Sequence, residues 1–430
     1  MWSFIVCLTL GSLVLASNRI FYDGYRVFRV KTGARLAEVE RRLSSIAYDE
    51  WNTVTNEHID VAVSPDYLDK FHNLGLTYHV MHDDLGSSIA AESSSSPAWK
   101  RQVDDLAWYD SYHAYDEHKA YFKALHEAFP NNSEIVSSGT SYEGRDIFGV
   151  HLWGADGPGK PAVLWHGTVH AREWIVAPVV EYLTLQLIQG YGVDNETTSF
   201  VDAYDFWVFP FVNPDGFVYT QTTERLWRKN RQPPPKTTNS TCYGRDINRN
   251  WPYKWDANPL GASKNPCSQT YKGAEPVDAP EMQGLHQLVD ELRDNSGIKL
   301  YVDWHSYSQY FLAPVGYNCT YYIDTLGQHI KLAQLASDAI REVEGVTFTY
   351  GPSCATLYPT TGGSFDYAYA VGEAKWSYLI ELRDTGDFGF VLPPEQIRGS
   401  VTEQWEGVKV MLSLLDEEFF DGEGPAALLN

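Results

Sequence analysis

Hydrophobic and polar residues change their period several times along the chain, and these changes divide it into blocks. Met1 to Ala16 is an almost unbroken apolar run ending in Val14-Leu15-Ala16 before Ser17. It is too short to span a bilayer comfortably, and its end suits signal peptidase, so residues 1–16 are read as a removed leader. Tyr25-Arg-Val-Phe-Arg-Val alternates as a strand does, and Arg35 to Trp51 carries a helical period. His58-Ile-Asp-Val-Ala-Val predicts a second strand, Pro65 to Leu74 a second helix, and Thr77-Tyr-His-Val a last strand. That order predicts a small ferredoxin-like α+β unit of about 70 residues. The serine-rich run from Ser87 to Ser96 reads as a linker, and Lys100-Arg101 behind it is a dibasic pair open to processing.

From Trp108 onward strands and helices alternate. His118 to Phe129 is an amphipathic helix, Phe148 to Trp153 is extended, and Pro161-Ala-Val-Leu-Trp-His166 is an apolar strand. Ile175 to Gln189 predicts a long helix, and a final helix is expected near Glu395 to Leu415. Tyr204 to Val212, Ile298 to His305 and Lys375 to Glu381 read as buried strands. The pattern predicts an α/β domain with a mixed sheet flanked by helices. Its polar candidates follow strands, at the carboxyl edge where open α/β sheets place their sites.

Composition narrows the class. With 430 residues, 43% hydrophobic and 14% aromatic, the chain is long enough for two domains and a large core. Its 33 basic and 56 acidic residues give a formal charge of -23. That balance argues against nucleic acid and anionic membranes as partners, since both require basic patches. Five cysteines become four once Cys7 leaves with the leader. An even number suits an oxidising, secreted route, and the pairing stays open among three alternatives. Asn131, Asn195, Asn239 and Asn318 each begin an N-x-S/T sequon.

The chemistry concentrates in His166-Gly-Thr-Val-His170-Ala-Arg172-Glu173-Trp174. An H-x-x-E pair after an apolar strand places an imidazole and a carboxylate on one side of a turn, and His305 adds a second imidazole. His170, Glu173 and His305 would hold a tetrahedral zinc and leave its fourth position open, as catalysis requires. Asp246 is a candidate acceptor that orients a ligand imidazole. His166 is near these residues but, on the strand reading, points elsewhere. Glu381 is the candidate base, with an ion pair to Arg383 as its structural alternative. The basic run Arg225 to Arg231 offers an oxyanion arginine or merely a solvated loop. Asn248 and Arg249 are suited to a free carboxylate, because a guanidinium bonds carboxylates in a bidentate fashion. These are the parts of a zinc exopeptidase acting at C-termini.

HAREW, RLWRKNR, GRDINRNW, HSYSQ, TGGSFDYAY and ELRDTGDFGF occur in that order. Through them the chain resembles the secreted zinc procarboxypeptidases of the pancreatic A/B type, nearer the A type. The resemblance covers nearly everything after the leader, most loosely the propiece. It implies the zinc carboxypeptidase fold, with a mixed eight-stranded sheet. It also implies an activation propeptide with linker over residues 17–101 and a catalytic domain over 102–430. One Zn2+ per chain is implied on His170, Glu173 and His305, with Glu381 as base and Arg228 on the oxyanion. Asn248, Arg249 and a mobile Tyr358 would bind the terminal carboxylate, and Arg172, Tyr307 and Phe390 would line positions further along the peptide. Cys242–Cys267 and Cys319–Cys354 bridges are implied as well, the first worth about 3 kcal/mol by loop closure.

The same resemblance implies an extracellular monomer acting on peptide and protein C-termini after a protease cuts near Arg101. Phe365 stands where B-type enzymes carry an aspartate, which points to aromatic or large aliphatic ends. Two departures bear on this. Asp303 replaces a small hydroxyl residue and would favour basic ends if its carboxylate reaches the pocket, and Leu379 and Ser353 change the lining. The alternatives are a B-type or broad-specificity carboxypeptidase and a non-catalytic peptide-binding homologue.

Overall fold

The computed structural model describes residues 19–52, 57–92, 103–104 and 106–419. The leader and Lys100-Arg101 lie outside the described residues.

The N-terminal unit holds four antiparallel strands: β1 (Arg26–Lys31), β2 (Asp49–Glu50), β3 (His58–Val63) and β4 (Tyr78–His82), in the order β2-β3-β1-β4. Helices Leu36–Leu43 and Leu68–Asn73 complete the ferredoxin-like sandwich. Its own core is built on Phe28, Val30, Val39, Leu43, Ile59, Val61 and Phe71. Two expectations need correction. The first helix stops at Leu43, and Asp49–Glu50 leaves helical geometry to pair with β3. The serine-rich stretch is not all linker, because Leu85–Glu92 is helical with Leu85, Ile89 and Glu92 buried. Tertiary contact, rather than propensity, holds that helix.

The C-terminal unit is built on one eight-stranded mixed sheet. Its strands are β5 (Ser133–Thr140), β6 (Asp146–Leu152), β7 (Ala162–Gly167), β8 (Asp205–Phe209), β9 (Ile298–Ser306), β10 (Tyr310–Ala313), β11 (Thr349–Pro352) and β12 (Trp376–Leu382). The order is β11-β10-β12-β9-β7-β8-β6-β5. The central strands β8, β7, β9 and β12 run parallel. Covered on both faces, β7 is buried at every residue, as an interior parallel strand must be. Helices Tyr115–Ala128, Val176–Gly190, Leu326–Glu344 and Ile397–Ser413 pack on one face. Helices Pro280–Asn295 and Ser364–Ala370 cover the other.

Disulfides join Cys242 to Cys267 and Cys319 to Cys354. No helix among the described residues is long and apolar enough to cross a membrane.

The two units share a hydrophobic cluster. Val27, Trp51, Ala62, Met81, Leu85 and Ile89 of the first pack with Leu226, Tyr307, Phe390 and Val391 of the second. This junction lies over the carboxyl ends of the parallel strands.

Candidate metal centre and cleft

The chain leaves β7 through a tightly specified turn. At Gly167 a Cβ would sit 2.3 Å from a methyl of Val176, so only glycine lets the following helix pack this close. Buried Thr168 then takes a left-handed φ of 50°, a conformation a β-branched residue holds only when its surroundings enforce it. The backbone N–H of Ala171 donates to the carbonyl of Arg228 at 3.0 Å. The amide of Asn213 donates to the carbonyl of Val169 at 3.1 Å. Together these fix the loop that carries His170 and Glu173. Asn213 escaped the sequence reading because its role is visible only once the loop is folded.

His305 comes from β9 and Glu381 from β12, and the two are direct partners across the parallel pair. Glu173 lies between the imidazoles: its Oε1 is 2.9 Å from His170 Nδ1 and its Oε2 is 3.0 Å from His305 Nδ1. The donor atoms of the three residues all fall within 4.8 Å of one another, and all three residues are buried. Among the described residues no other such group occurs. Burial alone would raise the Glu173 carboxyl, but the two imidazoles outweigh it and hold the group well below its ordinary value.

Both imidazoles carry a carboxylate on the far nitrogen. His170 Nε2 is 3.1 Å from Asp246 Oδ1, as the sequence suggested, and His305 Nε2 is 2.9 Å from Asp303 Oδ1. Two imidazoles and a carboxylate facing one point suit a dication of zinc's preferences. Buried Glu381 Oε2 has no hydrogen-bond partner, which leaves a lone pair aimed into the same space. The residues fit a metal.

Glu381 does not pair with Arg383. That guanidinium goes to Glu403 at 2.8 Å and Glu344 at 2.7 Å. Burial pushes the Glu381 carboxyl up to about 8, against the pull of His305. Arg228 is no solvated loop residue: its Nη2 donates to Asp246 Oδ2 at 2.8 Å, and its Nη1 lies 3.9 Å from Glu173. Asp246 therefore braces one imidazole and this guanidinium at once. Its own burial raises its proton affinity, yet Arg228 and His170 reverse this and hold it well below the ordinary range.

A second, smaller cavity of about 40 Å³ opens beside His305. Asn248, Arg249 and Tyr358 line it together with Leu312, Ser353, Leu357, Phe365 and Leu379. The Asn248 side-chain carbonyl accepts from the N–H of Ser364 at 2.9 Å, which fixes the amide. Tyr358 is half-buried and borders this cavity and the main cleft alike. Asp303 does not reach the cavity. It is fully buried beneath His305, where it accepts the hydroxyl of Ser364 and lies 3.4 Å from His166 Nδ1. His166 in turn is 2.6 Å from the Tyr301 hydroxyl, away from the cleft.

The main cleft is a cavity of about 370 Å³ between the two units. Arg172, Arg228, Tyr307, Glu381 and Phe390 form one wall, and Glu50, Trp51 and His58 of the N-terminal unit form the other. Arg172 donates to the Trp51 carbonyl at 2.8 Å and stacks 4.0 Å over the Phe390 ring. Burial and then Arg228 lower its pKa to about 10. Arg225 makes a bidentate pair with Glu92, both contacts at 2.6 Å and both side chains almost wholly buried. The residues predicted to hold the upstream peptide are thus occupied by the N-terminal unit.

Comparison with known proteins agrees with this geometry. The zinc carboxypeptidase family matches residues 118–407, and the carboxypeptidase activation peptide family matches residues 29–92. A metallocarboxypeptidase A of Trichophyton tonsurans is 44% identical over 397 residues, covering 91% of this chain and 93% of its own. A carboxypeptidase B of Astacus astacus is 38% identical over 309 residues, covering 72% of this chain and 98% of its own. Among solved structures, thrombin-activatable fibrinolysis inhibitor superposes with a TM-score of 0.84 at 25% identity, over 93% of this chain and all of that one. Carboxypeptidase A from Helicoverpa armigera gives 0.79 at 26% identity, over 92% and 98%.

Proposed function

We propose that this chain, which belongs to the zinc carboxypeptidase family and is a metallocarboxypeptidase zymogen, releases aromatic or large aliphatic residues from peptide C-termini once its activation domain is removed. The observation that carries the selectivity is the small cavity beside His305. Leu312, Leu357, Phe365 and Leu379 are among its lining residues, and the carboxylate of Asp303 is turned away toward Ser364 and His305. A cationic end would find no carboxylate at the Phe365 position to offset its lost hydration.

His170, Glu173 and His305 would hold one zinc ion. When bound, zinc polarises the scissile carbonyl and acidifies water. Glu381 Oε2 then accepts the water's proton and passes it to the leaving amine. Its raised proton affinity favours that transfer, and a nearby dication would lower it. Arg228, held straight by Asp246, stabilises the developing oxyanion. Asn248 and Arg249 grip the terminal carboxylate, Tyr358 closes over it, and Arg172, Tyr307 and Phe390 hold upstream residues.

The domain boundaries follow the same reading: a leader over 1–16, an activation segment over 17–101 cut near Arg101, and a catalytic domain over 102–430. Two disulfides support a secreted, oxidising route, and Asn131, Asn195, Asn239 and Asn318 are all exposed to glycosylation.

The test is release of C-terminal Phe, Leu, Lys and Arg from blocked dipeptides, before and after trypsin, with and without a zinc chelator. Phe or Leu release that appears on cleavage and vanishes with chelation is expected. Fastest release of Lys or Arg would overturn the selectivity, and no release of any residue would move the chain to a binding role.

A further inference from the structure

The metal-facing imidazoles are presented in matching ways. Each turns Nδ1 toward Glu173 and Nε2 toward a fully buried aspartate, Asp246 for His170 and Asp303 for His305. An imidazole that gives the Nδ1 lone pair to a metal must carry its proton on Nε2, and that proton needs an acceptor. Two groups stand beside His305 Nε2. The Asn248 amide nitrogen is 3.1 Å away, but an amide N–H₂ only donates. Asp303 Oδ1 is an acceptor 2.9 Å away; it lies off the line of a hydrogen bond and takes no hydrogen bond from any other described group.

The rest of the environment makes Asp303 hard to explain as filler. A carboxylate with no exposure is costly to bury unless it is paired. Its Oδ2 takes the Ser364 hydroxyl, and the other neighbour, His166, meets Tyr301 through Nε2 and faces Oδ1 with Nδ1. Of the two imidazoles near Oδ1, His305 Nε2 at 2.9 Å is closer than His166 Nδ1 at 3.4 Å.

We propose that Asp303 is a positioning residue for the metal site. Its carboxylate fixes the His305 proton on Nε2, so that Nδ1 presents its lone pair to the metal. The inference rests on reading His170, Glu173 and His305 as the zinc ligands. It also accounts for an acidic residue two positions before His305 without giving it any contact with substrate.

The experiment uses the full chain and zinc itself. The zinc dissociation constant is measured by competition with a chromophoric chelator for wild type, His305→Ala, Asp303→Ser and the isosteric Asp303→Asn. Absorption spectra of the cobalt-substituted forms are recorded alongside, with melting of the stripped proteins as a check on folding. Wild type is expected to bind one zinc and His305→Ala to lose it. Asp303→Ser is expected to weaken zinc about 10- to 100-fold and to shift the cobalt spectrum, with Asp303→Asn changed in the same direction. Unchanged affinity and spectra in Asp303→Asn, with His305→Ala still deficient, would overturn the role of Asp303 and leave the ligand reading standing. Full zinc binding by His305→Ala would overturn both.

Discussion

Asp60 of the activation domain accepts the phenolic O–H of Tyr307, a residue of the catalytic cleft, at 2.5 Å. The same carboxylate accepts two N–H groups of Arg29, at 2.8 and 2.7 Å. One fully buried aspartate therefore ties a strand of the activation sheet to the wall on which substrate would lie.

Replacing Asp60 by Ala removes the tie and leaves the Arg29 guanidinium without its carboxylate. The uncleaved chain is expected to hydrolyse a short C-terminal substrate several-fold faster than uncleaved wild type. After cleavage and removal of the activation segment the two should be equal, because Asp60 is no part of the catalytic domain. Initial rates before and after trypsin check this.

Glu92→Ala strips the buried Arg225 guanidinium of its carboxylate. Breaking such a pair costs about 3–5 kcal/mol when the remaining charge stays buried. The activation domain is expected to dissociate at lower denaturant concentration, followed by tryptophan fluorescence, since Trp51 sits at the junction.

Glu381→Gln keeps the shape of the base and removes its proton affinity. A loss of about 10²–10⁴-fold in kcat is expected, with zinc content unchanged. Arg228→Gln should cost about 10²–10³-fold by removing an oxyanion donor. Steady-state rates with metal analysis separate these losses from loss of the ion.

Phe365→Asp places a carboxylate in the small cavity. The ratio of kcat/KM for Lys-ended over Phe-ended substrates is expected to rise by at least tenfold, because a buried cation then has a partner. An unchanged ratio would show that Phe365 does not meet the terminal side chain.

The junction between domains is expected to weaken in acid through His82. Its Nε2 donates to the Phe388 carbonyl at 2.8 Å, across the two domains, and its Nδ1 lies 2.9 Å from the Ser88 hydroxyl. Burial lowers its proton affinity below the ordinary 6.5, with the Phe388 carbonyl and Asp384 opposing. A base lowered in this way contributes stability above pH 6.5 that is lost as pH falls through the folded value. Size-exclusion of the cut complex should show more released activation domain at pH 5 than at pH 7.5, and His82→Asn should flatten that difference.

Much of the candidate site was legible because it lies in short motifs at strand ends, where sequence neighbours are also spatial neighbours. His170 and Glu173 share a turn, and Glu381 and His305 end apolar strands. Even Asp303 carried a signal, since alternate strand residues face the same side. The helix Leu85–Glu92 was illegible because its serines mimic a linker, and Leu85, Ile89 and Glu92 acquire meaning only against the other domain. Edge strand β5 was missed for a related reason: its burial is intermittent, so no apolar run announces it. The Trp51–Arg172 contact joins residues 121 positions apart, and no local pattern encodes it.

That contact, with the Glu92–Arg225 pair and the Asp60–Tyr307 bond, has a consequence for what a cut in the 93–102 segment can do. None of the three contacts lies in that segment, so breaking the chain there disturbs none of them. It changes the effective concentration of the activation domain, from a tethered value on the order of mM to whatever the surroundings hold. Scission is then permission rather than release. The enzyme awakens as fast as the severed domain departs, and in a crowded compartment it would sleep on after being cut.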